Sequence, residues 1–106
     1  MVTTHVLDTA RGRPAAGVAV RLEGPDGGLL AEAVTDEDGR VGALGPDELP
    51  PGSYRLVFQT GAYFASLAQQ SFYPRVSVEF EIAEPGAHYH VPLLVSPYGF
   101  TTYRGS

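Results

Sequence analysis

Three histidines are the side chains of this sequence best suited to proton chemistry. His88 and His90 stand two residues apart, and His5 lies near the other end of the chain. An imidazole has an ordinary pKa of about 6.5, so it can take and return a proton near neutrality. On a strand, the His-x-His spacing puts both rings on one face, roughly 7 Å apart at the backbone. Three imidazoles with a water in the fourth position would also make a zinc site, which is the alternative reading of the same residues. Exposed or structurally hydrogen-bonded imidazoles are the ordinary one. Arg40 follows an Asp38-Gly39 turn and Arg104 lies two residues before the last one. A guanidinium fork matches a planar anion and keeps its charge, although a solvated charge is the commoner use of a single arginine. Other chemistries find no residues to carry them: there is no phosphate-binding glycine loop, no local nucleophilic-serine signature and no cysteine.

The elements that must position these groups are strands. Thirteen glycines and nine prolines cut the chain into short segments that mostly alternate apolar and polar residues. In 75–83, Val76, Val78, Phe80 and Ile82 share one face, and Ser77, Glu79 and Glu81 the other. Val18, Val20 and Leu22 repeat the pattern, as do Tyr54, Leu56 and Phe58. Leu29 to Thr35 and Arg40 to Leu44 flank the Asp-Gly turn, and His88 to Ser96 and Gly99 to Arg104 close the chain around Pro97. With His5 on a first strand, about eight strands result. Only Gly61 to Gln70 breaks the period of two: Tyr63, Phe64 and Leu67 fall at helical spacing, Thr60 is placed to cap the start, and Pro74 bars continuation. An all-β sandwich of two sheets with one short helix is the expectation. Pro92 sits awkwardly inside a strand pattern, since its missing N–H costs a ladder bond unless that position is unpaired.

A chain of 106 residues holds one hydrophobic core, so residues 1–106 form a single domain. Forty-three per cent hydrophobic residues on so small a body favour an oligomer. Twelve acids against seven arginines give a net charge of -5, which argues against nucleic-acid or anionic-membrane partners and requires that any anion be held locally. No stretch approaches the apolar length of a membrane span, and the first residues carry no secretory pattern, so the cytoplasm is the expected location.

Certain strings are specific when taken together. His5-Val6-Leu7-Asp8, Arg11-Gly12-Arg13-Pro14-Ala15, Asp38-Gly39-Arg40, Tyr63-Phe64, Phe72-Tyr73-Pro74 and the run from His88 to Tyr103-Arg104-Gly105-Ser106 resemble the transthyretin-like family in its 5-hydroxyisourate hydrolase branch. The resemblance covers essentially the whole chain. It implies a Greek-key sandwich of two four-stranded sheets, a homotetramer built as a dimer of dimers, and 5-hydroxyisourate as substrate, with no metal or other cofactor. It also implies catalytic roles for His5, Arg40 and His90, and substrate contacts from Tyr103, Arg104 and Ser106; His88 is a neighbour without an assigned role. A hormone carrier shares the fold, so a non-catalytic binder of small aromatic ligands is the competing expectation. The resemblance places lysine, glutamate and threonine in that carrier where this chain has His5, Arg40 and His90.

Overall fold

The computed structural model describes all residues from Met1 to Ser106. Nine strands and one helix follow in the order β1 (Val2–Asp8), β2 (Arg13–Pro14), β3 (Ala19–Glu23), β4 (Leu29–Val34), β5 (Arg40–Val41), β6 (Gly52–Phe58), α1 (Thr60–Ser66), β7 (Val76–Ile82), β8 (Tyr89–Ser96) and β9 (Gly99–Thr102). One sheet runs β4-β3-β6-β7. The other runs β2-β1-β8-β9 and gains β5, which shares an edge of β1 with β2, so this sheet has five strands where four were expected. The extra strand is the two-residue Arg13–Pro14, too short to show a period.

Alternation sorts the side chains as it should. Val2, Val6, Val20, Leu22, Tyr54, Leu56, Phe58, Val76, Leu93 and Val95 are buried together between the sheets. Most of the sheet pairing is antiparallel, but β1 and β8 run parallel, with Thr3 opposite His90 and His5 opposite Pro92. Pro92 costs nothing there. Its carbonyl accepts from the Thr102 hydroxyl at 2.8 Å, so its backbone edge faces β9. The β8–β9 ladder stops at Leu93 and Thr102 and is resumed only by a bridge between His90 and Gly105, so the missing N–H falls in the gap.

The helix is shorter than its sequence pattern suggests, and its ends are made differently. Thr60 is not the cap: it is the first helical residue, buried, with its hydroxyl unpartnered, and Gln59 precedes it without a side-chain bond. The Pro74 carbonyl instead accepts from the Gly61 N–H at 3.1 Å, supplying one of the partners that the first turn lacks. The stop comes before Pro74, at Ala68, which takes φ 56°. Gln69 N–H donates to the Phe64 carbonyl and Ala68 N–H to that of Ala65, the paired bonds of a Schellman ending made without glycine. Leu67 consequently lies at the helix end, 38% exposed, while Tyr63 and Phe64 are buried. No helix is long and apolar enough to cross a membrane.

A single buried polar cluster ties this helix to β1. Asp8, 1% exposed, accepts from the Ala10 and Arg11 N–H groups, both at 3.1 Å, and from the Tyr63 hydroxyl at 2.8 Å. Burial, and then the bond to Asp8, push the Tyr63 phenol up to about 12, so it remains a donor throughout the neutral range. A hydrogen bond to a charged group is worth about 1.5–3 kcal/mol. Tyr63→Phe should therefore lower unfolding stability in urea by that amount. Tyr73→Phe, which removes a hydroxyl from a part-exposed ring, should stay within about 0.5 kcal/mol of the parent; equal effects from the two variants would refute the assignment.

Candidate active site

The parallel pairing of β1 with β8 carries the site, because it lays the N-terminal strand beside the histidine pair. On β1, Val2, Thr4 and Val6 point into the core, which turns Thr3 and His5 outward. On β8, Tyr89, Val91 and Leu93 point inward, which turns His90 outward, with His88 just before the strand on the same side. Arg40 joins them because β5 pairs with β1 in the register His5 to Arg40. The turn that presents Arg40 is closed on itself. Asp36 Oδ1 accepts from the N–H groups of Asp38 and Arg40, both at 2.9 Å. Gly39 has φ +76° and packs so close to the Val6 carbonyl and Pro14 that no side chain fits.

A hollow of about 220 Å³ opens on this face, walled by Thr3, Arg40, Gly42, His88, His90 and Ser106 among others. No Asp or Glu side chain lines it, and Arg40 brings a fixed positive charge to this face of an acidic chain. His5 is not one of its walls but stands beside Arg40 on the neighbouring strand.

Hydrogen bonds define each ring. His5 Nε2 lies 2.8 Å from the Asp38 carbonyl, which can only accept, so Nε2 carries the hydrogen and Nδ1 of the neutral ring keeps the lone pair. His90 Nδ1 and His88 Nε2 both lie 2.7 Å from one oxygen, the Thr3 hydroxyl. His90 Nε2 is then the nitrogen left for chemistry. Burial, with the nearby His88, Arg40 and His5 acting in the same direction, holds the His90 imidazole below its ordinary pKa, so it is unprotonated and free to accept a proton at neutral pH.

The last four residues divide between two places. The Gly105 N–H donates to the His90 carbonyl at 2.8 Å, and a Cβ on Gly105 would stand 2.5 Å from the ring carbon Cδ2 of His90. Ser106 thereby reaches the hollow. Arg104 does not line it: the guanidinium stacks 4.5 Å over the Tyr89 ring and donates to the His88 carbonyl at 3.2 Å, clamping the segment from outside. Tyr103 is 56% exposed and lines another hollow with Val78, Phe80 and Tyr89. The zinc alternative finds no geometry either, since no three histidine, aspartate or glutamate side chains are arranged to share an ion.

Sequence reasoning did not single out Thr3 or Gly105. Thr3 shares the strand parity of His5, which was visible, but its meeting with His88 and His90 depends on a pairing across more than eighty residues.

Comparison with known proteins identifies the family. A 5-hydroxyisourate hydrolase of Salmonella typhimurium is 48% identical over 110 residues, spanning 100% of this chain and 81% of that protein. The structure of Klebsiella pneumoniae 5-hydroxyisourate hydrolase superposes with a TM-score of 0.91 at 42% identity, covering 99% of this chain and 98% of that one. Sea bream transthyretin in complex with thyroxine follows at 0.89 and 33%, covering 98% and 93%. With residues 2–105 also matching the family's sequence profile, the chain belongs to the HIUase/Transthyretin family.

Proposed function

We propose that this chain hydrolyses 5-hydroxyisourate: water adds at the C6 carbonyl, the N1–C6 amide bond breaks, and 2-oxo-4-hydroxy-4-carboxy-5-ureidoimidazoline leaves. The observation that carries the reading is the placement of His5, Arg40 and His90 together on one outward face, in a chain 48% identical to a protein of that name.

The step requires a base for water, a proton for the leaving nitrogen and positive charge for the developing oxyanion. His90 is the base: it is held neutral, and its Nε2 is free. His5 orients the water or returns the proton through Nδ1, its other nitrogen being engaged with Asp38. Arg40 holds the anionic ring or the oxyanion. Tyr103, Arg104 and Ser106 contact substrate, Ser106 from a wall of the hollow, and Arg104 also holds the terminal segment through its bond to the His88 carbonyl.

A homotetramer, arranged as a dimer of dimers, completes the site in this reading. The hollow is smaller than the roughly 300–1,000 Å³ typical of small-molecule pockets and is open to solvent on the sheet's outer face. β9 and β7 are sheet edges, and Phe72, Tyr98, Phe100 and Tyr103 are exposed aromatics.

Generating 5-hydroxyisourate in place from urate with urate oxidase and following its ultraviolet decay tests the activity. Decay is expected to accelerate with the protein and to be insensitive to chelator; decay at the spontaneous rate would favour a ligand carrier, and loss with chelator would revive the zinc site. His90→Ala should lower turnover by about 10² to 10⁴, the usual worth of a positioned acid or base. In the parent, kcat/KM should fall as pH drops through a value below the ordinary imidazole pKa of about 6.5. Because Arg40 is one of the groups holding that pKa down, the acid limb of Arg40→Gln should lie at higher pH; a limb that stays in place would remove His90 from the role. Gly105→Ala should cut kcat while leaving urea stability within about 1 kcal/mol, since the added carbon meets the His90 ring and Pro92 Cγ on the outer face and not the core between the sheets.

A further inference from the structure

The Thr3 hydroxyl joins two imidazoles that otherwise have no contact. His88 and His90 have ring centroids 6.1 Å apart, too far for a direct bond, yet each places a nitrogen 2.7 Å from the same oxygen. Thr3 is 8% exposed, so little water competes for that oxygen. The hydroxyl has one hydrogen and two lone pairs, and it can therefore donate to only one of the two rings. If it donates to His88 Nε2, it accepts from His90 Nδ1–H, and His90 Nε2 is left bare. If it donates to His90 Nδ1, it accepts from His88 Nε2–H, and His90 carries its hydrogen on Nε2. The first arrangement suits a base at the hollow and the second suits a donor.

We propose that Thr3 is the positioning residue of this site, bridging His88 and His90 as a proton relay that switches His90 between base and acid. The inference rests on the hydrolytic reading above. When His90 Nε2 takes a proton from water, the ring becomes a cation with hydrogens on both nitrogens. The Nδ1 hydrogen passes to the Thr3 oxygen as the hydroxyl hydrogen passes to His88 Nε2. No proton is gained or lost in the exchange: His90 is left neutral with Nε2–H facing the leaving nitrogen, and the positive charge moves to His88. The charged or titratable neighbours of the pair are His5 and Arg40, with Arg104 at the His88 carbonyl. Arg40 and His5 disfavour charge on His90, which drives it toward His88; Arg104 at the His88 carbonyl opposes that move, and the exposure of His88 to water screens it. His88, a residue without a role on sequence grounds, becomes the place where the proton is stored.

Three variants and one spectrum test this. Thr3→Val keeps the shape and strand preference of the side chain and removes the hydroxyl. It should lower kcat by roughly 10- to 100-fold, within the range of general acid–base help, with KM changed less than about twofold. Thr3→Ser, which restores the hydroxyl, should recover most of the rate. His88→Phe should match Thr3→Val, and combining the two should cost no more than either alone, as for residues acting as one unit. Imidazole ¹⁵N shifts of the unliganded protein report the tautomers directly: His90 should show a hydrogen-bonded Nδ1 whose tautomer ratio changes in Thr3→Val. Full activity in Thr3→Val with unchanged ¹⁵N shifts would overturn the proposal, as would additive losses in the double variant. The spectrum needs no substrate, so a wild-type protein that leaves 5-hydroxyisourate untouched would remove the hydrolytic reading while the bridge between the rings stood or fell on its own.

Discussion

The parallel register of β1 against β8 is the constraint on which the site depends. Side chains on a strand alternate with a period of two, so a slip of one residue would turn His5 and Thr3 into the core and Thr4 and Val6 out of it. Several contacts resist that slip. Val2 and Val6 pack with Val91 and Leu93 in the core. The buried Thr4 hydroxyl donates to the Val91 carbonyl at 2.6 Å, a bond that exists in one register only. Beyond the strand end, Thr9 N–H donates to the Val95 carbonyl at 2.9 Å. Because the sandwich core is satisfied by the inward residues of both strands, the outward ones are free to carry polar groups that a core could not tolerate.

Electrostatics then concentrate on a small area of an otherwise acidic molecule. Three imidazoles and Arg40 share the outward face, while Asp36 closes its own turn, Asp8 is buried against Tyr63, and no Asp or Glu side chain lines the hollow. The consequence for His90 is a cost to holding a proton. A negative overall charge and a fixed positive charge at the hollow are therefore compatible, since the field within a few ångströms is set by the local groups.

How much of this was legible depended on how local the cause was. The alternation of Val76 to Ile82 and of Tyr54 to Phe58 is written in consecutive residues, and those strands formed where the pattern placed them. The shared face of His88 and His90 followed from their spacing alone. The helix ends did not. Thr60 has the chemistry of a cap but is buried one position inside, and Ala68 stops the helix in a conformation that glycine normally supplies. Arg40 to Leu44 shortened to two ladder residues, Arg40 and Val41, although the Leu44 N–H still reaches the Val2 carbonyl of β1 at 3.0 Å. The strings that resemble the family pointed to His5, Arg40 and His90, but their side-by-side placement arises from pairings 35 and more residues apart. The same strings grouped Tyr103 and Arg104 with Ser106, whereas the bond from Gly105 to His90 turns the chain so that only the last residue faces the hollow.

The site's two principal strands are also interior strands: β1 is flanked by β8 on one side and by β5 and β2 on the other, and β8 by β1 and β9. Backbone in such positions opens last, through the whole-domain transition, whereas loops and sheet edges open by local fluctuation. His5 and His90 thus ride on interior strands, where opening is costliest. Local opening at the margins would release Arg40, on the two-residue β5, and Ser106, in the terminal segment, before it parted His5 from His90.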